Sequence, residues 1–178
     1  VSEPLGLRPD LWTQFDGDYP AAVKKVERIA GYDLDFLAPK LTPELTNGWL
    51  DEKQAPAVIR DLKRYLALLA LFPDEPLAPS NKVDMAWHTF VLYTRKYREF
   101  CNAVFGHYVD HYPDKPGAPF NRPRYEKTVA RYRQAFGPPS ELIWGLRPAQ
   151  LNQARPVFWP LAVSLAVLGG VLLLPRAR

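Results

Sequence analysis

Nineteen prolines in 178 residues set the first limit on this chain. Proline lacks the backbone N–H and its ring clashes with the preceding turn, so it opens or ends helices and is kept out of their middles. The spacing predicts short helices joined by proline loops. Asp18 can cap a helix with Pro20 in its first turn, running from Ala21 to Ala30 and stopped by Gly31. Asp35 to Trp49, broken by Pro39, Pro43 and Gly48, reads as short helical turns. Asp51 opens a longer helix in which Val58, Leu62, Tyr65, Leu66, Leu69 and Phe72 recur mostly at steps of three and four, and Pro73 ends it. Pro79 and Ser80 introduce a helix over about Lys82–Phe105, with Val83, Trp87, Phe90, Thr94, Tyr97, Cys101 and Val104 as its stripe and Gly106 as its stop. After the proline-rich loop 113–123, Tyr125, Val129, Tyr132 and Phe136 share one face of a last helix that stops at Gly137, and Leu142 to Trp144 return to the core. No strand alternation is visible. The expected fold is all-α: one small helical domain over 1–146, facing water, with long proline-punctuated loops.

A different pattern follows. Val157 to Leu174 reads VFWPLAVSLAVLGGVLLL, without a charge. Eighteen residues at ~1.5 Å each give about 27 Å, close to the hydrocarbon thickness of a bilayer. Trp159 stands where an indole favours the interface, and Arg155 and Arg176 bracket the run. A helix packed on a protein surface keeps a polar face, and this one has only Ser164. The reading is a linker over 147–156, a transmembrane helix over 157–175 and a tail over 176–178. No basic run followed by an apolar one marks the N-terminus, so no secretory signal is expected. The expected placement is single-pass in a bacterial inner membrane, with the domain in the cytoplasm.

Charge excludes little but points away from nucleic acid. The net charge is +4, and Arg176 and Arg178 beyond the apolar run supply half of it. Arg122, Arg124, Lys127, Arg131 and Arg133 form the nearest thing to a basic stripe; on a helix that spacing describes a solvated face or, less simply, a contact with an anionic lipid surface. The single cysteine, Cys101, excludes an intrachain disulfide framework.

The residues that could carry chemistry are Asp84, His88, Cys101, His107 and His111. On a straight helix Cys101 lies within the apolar stripe, while His88 lies about 140° round and roughly 20 Å along the axis. A zinc–ligand bond of about 2.0–2.3 Å excludes one ion held by both. Asp84 and His88 are one turn apart and can hydrogen-bond, either locking the loop after Pro79 or acting as an acid–base or metal-binding pair. His111 lies beyond Gly106, on a loop able to fold back. No phosphate loop, nucleophile elbow, HExxH or CxxC motif is present.

The run PSNKVDMAWHTFVLYTRKYREFCNAVFGHYVDHYP, Pro79 to Pro113, resembles the glycine-rich domain-containing protein family. The matching positions are Pro79, Ser80, Val83, Asp84, Trp87, His88, Thr89, Tyr97, Cys101, Phe105, Gly106, His111 and Pro113, and the likeness extends over roughly Leu34 to Trp144. Phe90 and Asp110 stand where many relatives carry further histidines. The resemblance implies a fold more than a function, since the family has no established activity.

The expected function is a membrane-anchored, non-catalytic interaction module, an accessory subunit or scaffold of a larger bacterial membrane complex. Its partners would be the lipid bilayer and that complex, with no cofactor. The alternative is a metal-dependent or acid–base enzyme centred on Asp84 and His88, with a divalent metal held by Asp84, His88 and His111.

Overall fold

A computed structural model of the chain describes residues 4–8, 19–43, 48, 50–112 and 120–145. Every regular element among them is helical. The α-helices are α1 (Tyr19–Gly31), α2 (Ala55–Leu71), α3 (Asn81–Leu92), α4 (Thr94–Val104), α5 (Arg122–Phe136) and α6 (Glu141–Trp144). Short 3-10 turns cover Pro4–Gly6, Asp35–Lys40 and Glu52–Gln54. Among the described residues no helix is long and apolar enough to cross a membrane. The segment 157–175 expected to do so lies outside the described residues, as do Arg155, Trp159 and Arg176.

Helix α2 is the axle. It packs against α1, α3, α5 and α6, and against the turns Pro4–Gly6, Asp35–Lys40 and Glu52–Gln54. Val58, Ile59, Leu62, Leu66, Ala67, Leu68 and Leu71 are all buried, which leaves little of its circumference to water. A helix apolar nearly all round belongs in the centre of a fold. Its start is local chemistry: the Asp51 carboxylate accepts from the Lys53 amide at 3.0 Å, and Pro56 sits in the first turn. Helix α1 is tied down at its C-terminal end, where the Lys63 ammonium donates to the Ala30 carbonyl at 3.0 Å and Arg28 reaches the Ala103 carbonyl at 2.9 Å. Burial lowers the Lys63 pKa, partly offset by Asp35 and Asp33.

One buried carboxylate breaks the apolar pattern. Asp61 is 1% exposed, on the same stripe as Val58, Leu62 and Tyr65. It accepts from the Tyr132 hydroxyl at 2.8 Å and from the Trp144 indole N–H at 3.0 Å, with the Arg64 guanidinium 3.6 Å away. Arg64 also donates to the Tyr132 hydroxyl and to the Leu5 carbonyl. The N-terminal turn, α2, α5 and α6 thus meet on one charge.

The single helix expected over Lys82–Phe105 is two helices. Tyr93, at φ −81° and ψ 58°, leaves helical geometry between α3 and α4. In a straight helix Trp87 and Tyr97 would stand about 15 Å apart along the axis. The bend brings the Trp87 indole N–H to the Tyr97 hydroxyl at 3.0 Å, and lets Phe90 pack edge-on against both Tyr97 and Phe100. Tertiary packing overrides local helix propensity here.

Helix α5 settles the basic stripe. Arg131 and Lys127 both pair with Glu75, Arg122 pairs with Glu126, and Arg124 donates to the Leu77 carbonyl at 2.9 Å. The Arg131 hydrogen bonds hold the Glu75 carboxyl below its ordinary pKa. Four of the five cations are engaged within the domain and are not a free contact surface.

Replacing Asp61 with Ala leaves a buried hydroxyl and a buried indole N–H without their acceptor. Chemical denaturation of the Asp61→Ala protein is expected to show a loss of about 3–5 kcal/mol. A change below about 1 kcal/mol would mean that the network is dispensable.

Candidate functional site

The site is assembled at the first turn of α3. Ser80 caps that helix, its hydroxyl accepting from the Val83 amide at 3.3 Å while its carbonyl accepts from the Asp84 amide at 2.7 Å. Asp84 therefore sits at the positive end of the helix, where a carboxylate is favoured. Its Oδ1 lies 3.0 Å from Nε2 of His111, which arrives from the segment after α4. A carboxylate only accepts, so this bond keeps a proton on Nε2.

Two further bonds bring His111 there. The Trp87 indole N–H donates to the Tyr97 hydroxyl, and that hydroxyl donates to the Val109 carbonyl at 2.6 Å. Val109 is thereby fixed over the α3–α4 bend, and His111, two residues on, falls beside Asp84. The His111 ring meets the Trp87 ring edge-on at 4.5 Å between centroids, and the His88 ring at 5.6 Å. The imidazole of His111 is 5% exposed and the Asp84 side chain 48% exposed. The dyad has a wet end and a dry end. Burial raises the Tyr97 hydroxyl pKa, and the Trp87 hydrogen bond only partly counters it.

Asp84, His88 and His111 are thus neighbours in space. The hydrogen bond expected between Asp84 and His88 is instead made between Asp84 and His111, twenty-seven residues apart in sequence. His88 is exposed beside them. Among the described residues no group of three His, Cys, Asp or Glu side chains is placed to hold a metal ion. Cys101 is buried under the returning segment, and burial raises its thiol pKa, so it stays protonated and unreactive at neutral pH. His107 is exposed and lies apart, beside the Phe105 ring.

The Trp87–Tyr97–Val109 chain and the Asp61 network are not among the features expected from the sequence. Asp61 left a signal, a charge on an apolar stripe at the i+3 position from Val58. The Trp87–Tyr97 bond left none, because it depends on the bend.

A family model described as UCP032817-like matches residues 25–149. No curated protein and no solved structure matches the chain. This match corrects the resemblance to the glycine-rich domain-containing protein family, which was not found. Among the residues behind that resemblance, Ser80 is a helix cap and Gly106 follows the end of α4, roles that unrelated helical proteins also need.

Removing the imidazole should free the segment 108–112 while leaving the core folded. His111→Ala is expected to cost about 1–3 kcal/mol locally, so that chymotryptic cleavage after Tyr108 rises roughly 5- to 150-fold. Tyr97→Phe, which loses the bond to Val109, should act in the same direction. Unchanged cleavage in both proteins would show that the pair does not hold this segment down.

Proposed function

The chain belongs to the UCP032817-like family, which is uncharacterised, and from that premise we propose that it is a membrane-anchored, non-catalytic interaction module. It serves as an accessory subunit or scaffold of a larger bacterial membrane complex, with its helical domain on the cytoplasmic side. The observation that carries this reading is the uncharged run Val157–Leu174, with Trp159 at its start and Arg155 and Arg176 outside it. An anchor confines the domain to two dimensions, so weak contacts with a membrane partner gain effective concentration.

The use made of the polar groups in the domain supports the same reading. The His111 imidazole is nearly buried and bonded to Asp84, which suits a clasp better than a group that must reach substrate. The carboxylate of Asp61 joins helices. A second reading is favoured by one observation, the convergence of Asp84, His111 and His88. In that reading the half-exposed Asp84 works at the surface with His111 as its partner, with or without a divalent metal.

The full chain is expected to stay in the membrane fraction through alkaline carbonate, and Leu165→Lys with Leu168→Lys to release it. Each lysine costs about 3 kcal/mol at the centre of a spanning helix. Extraction of the unaltered chain by carbonate would sink the anchor. Purification in mild detergent is expected to bring a stoichiometric partner and no bound metal. Stoichiometric zinc or iron, lost in His88→Ala, would favour the second reading instead.

A further inference from the structure

The corner between α3 and α4 carries an apolar side chain that nothing in the domain covers. Leu92 is 69% exposed, the last residue of α3, on the side of the helix away from Val83, Trp87 and Phe90. It lines a concavity of about 480 Å³ together with Thr89, Tyr93 and Lys40. Behind Tyr93 stands Phe36, edge-on at 4.9 Å, and the Lys96 ammonium lies 3.8 Å from the centre of the Phe36 ring. Lys40 from the 3-10 turn thus lines the concavity, and Lys96 from α4 stands behind it on the Phe36 ring.

Charge says what fits there. Lys40 and Lys96 are exposed, and neither has an acidic partner among the described residues. Arg95, next to Lys96, lies 3.9 Å from Glu99, a loose pair with both side chains mostly in water. Asp33 and Asp35 act on Lys63, at the other end of the turn from Lys40. An exposed leucine at a corner whose two lysines no carboxylate neutralises matches a surface that is anionic outside and apolar just beneath. Chain length allows it: α6 packs on α3, and the linker 147–156 that leads toward the apolar run reaches at most about 35 Å.

We propose that this corner docks on the anionic face of a lipid bilayer, with Leu92 in the acyl boundary and Lys40 and Lys96 on lipid phosphates. The proposal deepens the membrane-anchored reading by assigning the domain a fixed orientation on its membrane.

The test uses the full chain with vesicles of phosphatidylcholine alone or mixed with phosphatidylglycerol. A spin label on Thr89→Cys reports from the concavity, with one on Glu52→Cys as a remote control; the native Cys101 is buried and takes no label. On acidic vesicles the Thr89 label is expected to become accessible to lipid-dissolved oxygen and protected from an aqueous nickel chelate, while the control stays aqueous. Salt should reverse the change. Lys40→Gln with Lys96→Gln should weaken docking roughly thirtyfold, at about one decade or less per surface lysine.

A chain that floats with both vesicle types while its Thr89 label stays aqueous overturns the corner and leaves the anchor intact. Floating only with acidic vesicles, with release by salt and by the two lysine substitutions, upholds the corner and overturns the anchor. A chain that floats with neither overturns both. Docking that ignores the two lysine substitutions also overturns the corner.

Discussion

A carboxylate removed from water is the constraint around which the domain closes. Placing Asp61 at 1% exposure costs several kcal/mol unless its oxygens are bonded and its charge is countered. Tyr132 from α5, Trp144 from α6 and Arg64 from α2 do this together. The same groups bind the rest. Arg64 continues to the Leu5 carbonyl, and Tyr125, two turns before Tyr132 on the same helix, donates its hydroxyl to the Trp144 carbonyl. Burial pushes the Tyr125 hydroxyl up to about 12, so it remains a donor at any ordinary pH. An apolar residue at position 61 would bury as well, but would not specify which helices meet there.

The second closure works through a hydroxyl. Tyr97 accepts from Trp87 and donates to Val109, using both capacities of one oxygen to join α3, α4 and the segment beyond. The bend at Tyr93 is the condition for this bond. Aromatic packing then stabilises the bend: Phe90 lies against Tyr97, Phe100 and Tyr32, and the Tyr32 hydroxyl reaches the Lys96 carbonyl. Asp84 and His111 are brought together as a consequence, which is why their pairing looks accidental in the linear chain.

What could be read from the sequence divides by range. Ser80, Asp51, Pro73 and Gly137 act on their own neighbours, so the ends of α2, the start of α3 and the end of α5 were legible. The apolar stripe of α2 was legible for the same reason. The break at Tyr93 was not, because neither Tyr93 nor Thr94 is a helix breaker and the cause lies in contacts made elsewhere. The partners of Asp61 lie 71 and 83 residues away, and no local pattern encodes them. At the site the three residue types were legible, but Asp84 had an eligible partner one turn away in His88. Only the fold of the loop decided for His111.

Charge placement shows the same difference between composition and structure. The run from Arg122 to Arg133 holds five cations in twelve residues, yet Glu75, Glu126 and the Leu77 carbonyl take up four of them. The contacts with Glu75 and Leu77 fasten α5 to the segment between α2 and α3, while the Arg122–Glu126 pair lies within α5 itself. Lys40 and Lys96 are an unremarkable pair in the sequence, fifty-six positions apart. Folding sets Lys40 beside an uncovered leucine and Lys96 on the Phe36 ring behind it. A long-range field acts on the charges that no carboxylate neutralises after folding, so the density of basic residues along the sequence is a poor guide to where the surface stays positive.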